Sequence, residues 1–299
     1  MTEALHTGTA GTTAADDDAV SGHAAWRAAR ERELLEPHGW LSPVALLWPT
    51  ATPRRLPGVP GEWWVADGIL YTRPAPGDTA ALVGERVVPD GPTAIGVGEG
   101  RSRIIGTFLP EERAGSAAGA DGAHEVAVEV VVRTGRYGVR LRDPQAATRT
   151  EFTGVPAFDY DPSWVLDAPV RWYDEPESVT VGAAQPGLVH HVEVFGEVDL
   201  VRGGRFATLA LTGTLTSPTI VFSDEADGVA PWRALLVTTP DGAGDPADEE
   251  APATSDTLRL DLNRAVNLPH AFTDFGTSAA PLAGNHLPFA VTAGEKAPR

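Results

Sequence analysis

The sequence predicts an all-β protein made of two β-rich halves, with a short N-terminal helix and an extended C-terminal tract. Short apolar runs recur along most of the chain and are separated by Gly, Pro and Asp. These turn signals return at intervals of roughly 8–12 residues, which is the spacing of sandwiches and barrels rather than of βαβ units. No glycine-rich phosphate loop lies between a predicted strand and a predicted helix, so a nucleotide-binding α/β core is not expected.

The N-terminal region divides into two parts. Residues 1–22 are rich in Ala, Thr, Gly and Asp, and they lack the basic start and the apolar run of a signal peptide. We therefore expect a disordered tail on a cytoplasmic protein. From His23 to Glu36, Trp26 and the adjacent leucines fall close to one helical face, which predicts an amphipathic helix. This helix and the apolar segment after it form one unit, residues 23–50.

Two β-rich halves follow, residues 51–160 and residues 161–299. The stretch around Thr134-Gly135 predicts a hairpin, because a strand-like run lies on each side of it. The segment from Glu151 to Ala168 interrupts the strand rhythm with Gly, Pro and aromatic residues. We interpret it as a crossover between the two halves.

Composition limits the classes of function. The 299 residues are 42% hydrophobic, which is enough to bury a sizeable core. The formal charge of -18, from 41 acidic and 23 basic residues, disfavours both nucleic acid and anionic membranes as partners. The chain has no cysteine, which excludes disulfides, thiolate metal sites and cysteine nucleophiles. A Schiff-base mechanism would have to use the single lysine, Lys296, and the acidic run from Asp241 to Asp256 is typical of a solvated loop.

The C-terminal tract uses polar residues in a pattern that amphipathic periodicity does not explain. Asp261 and Asn263 share a strand face, and the loop after them can bring Asn267 and His270 towards that face. One interpretation is a ligand site in which His270 and Asp261 exchange protons with a substrate. Arg264, Asn263 and Asn267 would then bind that substrate. The other interpretation is structural, in which the same side chains satisfy the backbone of a long irregular loop.

Two further polar groups have both a functional and a structural interpretation. His191 and Glu193 share a strand face as a minimal metal fragment, but the spacing is too common for us to assign a metal. Arg140 and Arg142 share another strand face, which either binds a carboxylate or phosphate of a ligand or pairs with acidic residues of the same chain. We keep Arg140 as a candidate substrate-binding residue.

A family resemblance adds to these expectations. The chain contains, in this order, HGWLSPVALLW, VVRTGRYGVRLRD, FTGVPAFDYDPSWVLDA, IVFSDEADG and LDLNRAVNLPHAFTDFGTSAAPLAGNHLPFAVTAGEK. From about Trp26 onward this order resembles the bacterial family called domain of unknown function 1684. The residues that fit the family pattern in the final tract are Asp261, Asn263, Arg264, Ala265, Asn267, Pro269, Ala271, Phe272 and Asn285.

The resemblance implies an all-β body with a short N-terminal helix. The family's two C-terminal cysteines fall on His270 and Ser278 here. Any role that depends on those thiols therefore does not carry over to this chain. A disulfide would also be of no use in a reducing cytoplasm.

We expect this protein to bind a small organic ligand in a cavity of the β body. Simple acid/base chemistry without a cofactor, such as isomerisation, elimination or cyclisation, would then be open to His270 and Asp261. The alternative is a non-enzymatic β-sandwich that recognises a protein or a peptide. An enclosed apolar pocket with a few convergent polar groups favours the first function, and a flat rim of loops favours the second. No cofactor, nucleic acid or membrane is expected, and the sequence specifies no oligomeric state.

Overall fold

The computed structural model describes residues 14–78, 80–84, 87–88, 90–110, 124–237 and 256–298. One long helix is followed almost entirely by β-strands, which confirms the predicted all-β class with an N-terminal helix. The strands form two β-rich halves, as predicted. Most of the predicted acidic loop, up to residue 255, lies outside the described residues. Within the described part of the chain, no helix is long and apolar enough to cross a membrane.

The helix α1 (Ala14–Leu34) differs from its predicted bounds at both ends. The prediction placed a disordered tail up to residue 22 and a helix from His23 to Glu36. The helix instead includes residues 14–22, because alanine has the highest helix propensity and continues the helix towards the N-terminus. It ends before Pro37, which disfavours the helical conformation in the residue that precedes it.

α1 is docked on the C-terminal tract by its own polar side chains. The imidazole Nε2 of His23, which is 7% exposed, donates to the carbonyl oxygen of Asn263 at 3.0 Å. The Arg30 guanidinium donates to the carbonyl oxygen of Asn267 at 3.0 Å. Leu34, at the end of the helix, is buried in a small cluster with Leu41 and Val155. From His23 onward the helix therefore belongs to the packed body.

The first half is a β-sandwich. Its strands are β1 (Pro43–Leu47), β2 (Arg54–Leu56), β3 (Val59–Ala66), β4 (Ile69–Arg73), β5 (Thr93–Ile95), β6 (Ser102–Phe108), β7 (Val126–Arg133) and β8 (Arg136–Arg142). One sheet has the order β1-β8-β7-β6 and the other the order β2-β3-β4-β5. A single apolar core contains Trp63 and Leu70 from the second sheet and Val128, Val130 and Val139 from the first, all fully buried. The two sheets therefore pack face to face.

The predicted hairpin at Thr134-Gly135 is confirmed. β7 and β8 pair antiparallel up to Arg133 and Arg136, which leaves Thr134 and Gly135 as a two-residue turn. Both turn residues have positive φ, 57° and 69°, as a two-residue turn that matches the strand twist requires. The helix α2 (Ala147–Thr150) follows this sheet, and the predicted crossover then runs without a long element to β9.

The second half is one eight-stranded sheet. Its strands are β9 (Val165–Gly182), β10 (Val189–Arg202), β11 (Arg205–Gly213), β12 (Pro218–Asp224), β13 (Arg233–Leu236), β14 (Thr257–Asp261), β15 (Val266–Asn267) and β16 (His286–Leu287). The order is β14-β9-β10-β11-β12-β13-β15, and β16 pairs with β12. The inner face buries Val198, Leu211, Phe222 and Leu260 in one core.

The C-terminal tract, residues 260–298, is held by side chains more than by a strand ladder. The pairing of β11 with β12 includes only Thr212 with Thr219 and Gly213 with Pro218. Beyond this point the amide of Asn285 bridges the two strands. It accepts from the Ala210 N–H at 2.8 Å and donates to the carbonyl oxygens of Ala210 and of Val221. A buried amide therefore takes the place of missing ladder hydrogen bonds.

Arg233, at the start of β13, also binds the C-terminal tract. It is 0% exposed, and its guanidinium donates to three carbonyl oxygens, those of Val291, Ala293 and Glu295. A fourth bond, at 2.7 Å, joins it to the buried carboxylate of Asp224. Such an arrangement satisfies irregular backbone that has no partner strand.

Candidate functional site

Three of the predicted site residues, Asp261, Asn263 and Arg264, contact one another at the end of β14. The Asp261 carboxylate accepts from the backbone N–H of Asn263 at 3.1 Å and from its side-chain amide at 3.0 Å. The guanidinium of Arg264 lies 3.3 Å from the same carboxylate. Asn263 is 1% exposed, and its amide also bonds to the backbone of Asp161 in both directions. These contacts tie the end of β14 to the crossover.

Asn267 belongs to a second group with Glu295 and Arg30. Its N–H donates to the Glu295 carboxylate at 2.6 Å, and its side-chain amide donates to the carbonyl oxygen of Lys296. The Glu295 carboxylate is also 3.4 Å from the Arg30 guanidinium. Burial raises the pKa of Glu295 above its ordinary value, and the nearby Arg30 only partly offsets this. The group fastens α1 to the chain end.

His270 lies apart from both groups. Its ring stacks on the indole of Trp232, with ring centroids 4.3 Å apart. Both ring nitrogens are buried and have no hydrogen-bond partner among the described residues, and the same holds for Nε1 of Trp232. Burial lowers the pKa of the His270 imidazole, so the neutral form is favoured. Within the described residues, no hydrogen bond, ion pair or ring contact joins His270 to Asp261.

The two positions where the family carries cysteine are neighbours in space. The backbone N–H of His270 donates to the Ser278 hydroxyl at 3.3 Å. In this chain the contact is a backbone-to-hydroxyl bond that closes the loop between the two residues.

Arg140 is part of a buried ionic cluster between the two halves. Its guanidinium, 0% exposed, donates to the Glu129 carboxylate at 2.9 Å, and Arg142 donates to the same carboxylate at 2.8 Å. Arg140 also donates to the carbonyl oxygen of Phe275 at 3.0 Å. Burial raises the pKa of Glu129, but the hydrogen bond from Arg142 and the charge of Arg140 outweigh it and hold the pKa below its ordinary value. The pairing of these arginines with an acidic residue of the same chain is the structural alternative that the sequence left open.

The histidines of β10 have separate partners. The His190 ring donates to the carbonyl oxygen of Thr277 at 2.6 Å, and the His191 ring shares a hydrogen bond with the hydroxyl of Thr180. The described residues contain no group of three or more His, Cys, Asp or Glu placed to hold a metal ion.

A cavity in the first half has the features of a ligand pocket. It has a volume of about 470 Å³ and lies at one end of the sandwich, between β3, β4 and β5 and the connection from β4 to β5. That connection crosses to the other sheet, where Val83 forms an antiparallel bridge with Thr107 of β6. The lining is mostly apolar and consists of Pro60, Gly61, Thr72, Arg73, Pro74, Ala75, Gly77, Asp78, Ala80, Ala81, Leu82, Val83, Gly84, Val87, Val88 and Thr93. Neither Asp261 nor His270 is among them.

Two threonines supply the polar groups on the sandwich side of this cavity. Thr72 and Thr93 are cross-strand partners on β4 and β5, so their side chains share the interior face of the sheet. They are 4% and 5% exposed. The Thr93 hydroxyl accepts from the Val88 N–H at 2.7 Å. The Thr72 hydroxyl has no hydrogen-bond partner among the described residues.

Among the described residues of the cavity wall, the charged side chains Asp78 and Arg73 are paired. The Asp78 carboxylate accepts from Arg55 at 2.6 Å, from the Gly61 N–H at 2.9 Å and from the Ala75 N–H at 2.8 Å. These bonds fasten the connection to the sheet. Arg73 donates twice to the Glu62 carboxylate, at 2.9 and 2.7 Å.

None of the candidate site residues predicted from the sequence lines this cavity. One signal was available, because nineteen positions separate Arg73 from Thr93 and the described ones contain no strand. A long irregular connection inside a compact β domain is typical of a binding loop. The hydroxyls of Thr72 and Thr93 look like ordinary strand residues in the sequence, so their common position requires the strand register.

Comparisons with known proteins give a family model and distant structural matches. The family model described as protein of unknown function (DUF1684) matches residues 150–296. This range is narrower than the resemblance from about Trp26 onward, and it excludes the cavity. An uncharacterized protein of Haloarcula marismortui, solved by solution NMR, shares 22% identity at a TM-score of 0.38, over 50% of this chain and 78% of that one. No curated protein matches the chain.

Proposed function

We propose that this protein, whose residues 150–296 belong to the DUF1684 family, binds a small organic molecule in the cavity of its first half. The observation that carries the proposal is the cavity itself, of about 470 Å³ with mostly apolar walls and a few polar groups. Ligand pockets commonly have volumes of roughly 300–1,000 Å³ and a lining of this kind. The sequence predicts the same function but with a site in the C-terminal tract, whereas the site proposed here lies at the end of the sandwich.

The chemistry of the lining supports binding more than catalysis. The carboxylate of Asp78 accepts three hydrogen bonds, and the guanidinium of Arg73 is engaged by Glu62. Proton transfer requires an acid or base within reach of the substrate and free to change its protonation state. The described lining offers hydroxyls in that position rather than a carboxylate or an imidazole.

The test is a binding measurement with a matched pair of blocking variants. N-phenyl-1-naphthylamine is uncharged and becomes fluorescent in apolar surroundings, so we expect saturable binding to the intact protein. Ala80 lines the cavity, and Ala80→Phe should weaken binding of this probe by about tenfold or more, which corresponds to about 1.4 kcal/mol. Ala66, at the end of β3, does not line the cavity, and Ala66→Phe should leave the dissociation constant unchanged.

Circular dichroism and a melting curve establish that each variant is folded before its binding is compared. A folded Ala80→Phe protein that binds the probe as tightly as the parent would overturn the proposal. So would a parent protein that shows no saturable binding.

A further inference from the structure

We infer that the ligand of this cavity is uncharged and mostly apolar, and that it carries one carbonyl or hydroxyl oxygen that hydrogen-bonds to Thr72. This inference rests on the proposed function and specifies the chemical class of the ligand. It depends on three features of the cavity. These are the hydroxyl of Thr72, the absence of a side chain at Gly61 beside it, and the pairing of the charged residues in the described lining.

The first feature is the hydroxyl of Thr72. Only 4% of this residue is exposed, yet its hydroxyl has no hydrogen bond to any described residue, and the residue lines the cavity. Polar side chains in protein interiors almost always have a hydrogen-bond partner, and a hydroxyl that opens onto a cavity finds that partner in water or in a ligand. A hydroxyl without a protein partner at the wall of an apolar cavity is therefore a position for a ligand oxygen.

The second feature is Gly61, which lies beside Thr72 on the neighbouring strand. Its φ is +85°, and a Cβ there would lie 2.6 Å from the carbonyl oxygen of Arg73 and 3.2 Å from Oγ1 of Thr72. Glycine is required for this conformation and this close approach. Its lack of a side chain also leaves the hydroxyl of Thr72 uncovered on the cavity side.

Thr93 reinforces the same position. It is the cross-strand partner of Thr72, and its hydroxyl accepts the Val88 N–H. A hydroxyl that accepts one hydrogen bond still has its own proton to donate. The Thr93 hydroxyl therefore keeps the surroundings of the Thr72 hydroxyl polar, which favours a carbonyl or hydroxyl group at Thr72 over an apolar group.

The third feature is the absence of an unpaired charge from the described lining. The Asp78 carboxylate is paired with Arg55 and two backbone N–H groups, and Arg73 is paired with Glu62. A charged ligand would lose its hydration on entering and would find no free counter-ion among the described lining residues. An uncharged molecule avoids this penalty, and the apolar walls contact the rest of it.

Three probes that differ at one group test the inference. Acetophenone carries a carbonyl oxygen, α-methylstyrene carries a CH₂ group in its place, and benzoate carries a negative charge. Each is measured by displacement of N-phenyl-1-naphthylamine from the parent, from Thr72→Val and from the control Thr212→Val. Thr212 is a buried threonine of the second half, remote from the cavity lining.

We expect acetophenone to bind the parent about three- to tenfold more tightly than α-methylstyrene, as one net hydrogen bond implies, and benzoate to bind most weakly. Thr72→Val should bind acetophenone and α-methylstyrene with about equal affinity, whereas Thr212→Val should keep the preference of the parent for acetophenone. Valine has the shape of threonine, and the hydroxyl that it removes has no protein partner, so the melting temperature of Thr72→Val should stay close to that of the parent.

The outcomes separate this inference from the proposed function. If the fluorescent probe binds but acetophenone and α-methylstyrene have equal affinity, or if benzoate is preferred, the ligand class is wrong and the cavity remains a binding site. The same holds if the preference survives in Thr72→Val. If the fluorescent probe does not bind the parent, both proposals fail.

Discussion

Two sets of buried polar side chains, one around the C-terminal tract and one at the cavity of the first half, differ in their hydrogen-bond partners. Arg233 of β13 and Asn285 of the C-terminal tract are almost completely buried, and each makes at least three hydrogen bonds, mostly to backbone. At the cavity of the first half, Thr72 is 4% exposed, and its hydroxyl has no hydrogen-bond partner among the described residues. The difference indicates what each group does, since satisfied polar groups hold irregular backbone in place and an unsatisfied one at a cavity wall is available to a ligand.

The largest effect expected from this comparison is the loss of Arg233. Arg233→Met removes a fully buried cation and leaves the Asp224 carboxylate and three carbonyl oxygens without their donor. Removing one partner of a buried ion pair destabilises proteins by about 3–5 kcal/mol. Urea denaturation should show a decrease of this size in the free energy of unfolding.

The exposed Arg259 of β14 provides the matched control for that measurement. Arg259→Met should change the free energy of unfolding by less than about 0.5 kcal/mol, because substitutions at exposed positions without such contacts have small effects. A decrease below about 1 kcal/mol for Arg233→Met would contradict the structural role that we assign to the tract.

An intermediate effect is expected at Asn285. Asn285→Ala leaves the N–H and carbonyl of Ala210 and the carbonyl of Val221 without the amide that bridges β11 and β12. Each buried backbone group that loses its partner costs about 1–3 kcal/mol, and partial access of water reduces the sum to roughly 2–3 kcal/mol. Thermal and urea unfolding measure the change, with His286→Ala as the exposed neighbouring control. Equal stability of the two variants would show that the strands do not depend on this bridge.

Local sequence patterns predicted the fold class and several of its elements. The recurring turn signals gave the all-β class, and the turn at Thr134-Gly135 gave the β7–β8 hairpin, because both depend on residues close together in the chain. The helix starts earlier than predicted, because the alanines before His23 continue the helical conformation towards the N-terminus.

The candidate site could not be predicted in the same way. Asp261, Asn263 and Asn267 were recognised as unusual, but whether such residues bind a ligand or a backbone depends on which distant segments reach them. Asn263, for example, bonds to Asp161 in the crossover. The cavity depends on the register that puts Thr72 beside Thr93 and on a connection that reaches β6, and neither follows from local sequence.

The smallest effect on the free energy of unfolding is expected at His270. His270→Phe keeps a ring that can stack on Trp232 and removes two buried nitrogens that have no partner. The free energy of unfolding at neutral pH should therefore change by less than about 1.5 kcal/mol, as for other swaps of similar volume. Binding of N-phenyl-1-naphthylamine should not change, because His270 does not line the cavity.

The pH dependence of the same variant gives an independent check on His270. Burial lowers the pKa of its imidazole in the folded protein, so the unfolded chain takes up a proton first as the pH falls. As the pH falls from the ordinary pKa of histidine to the lowered pKa, the free energy of unfolding of the parent should decrease. His270→Phe should lack the part of this decrease that comes from the His270 imidazole. His190→Phe is the matched control, because it also removes the 2.6 Å bond to Thr277 and should be destabilised at neutral pH as well. If His270→Phe instead abolished ligand binding while it remained folded, the acid/base site predicted from the sequence would regain support over the cavity.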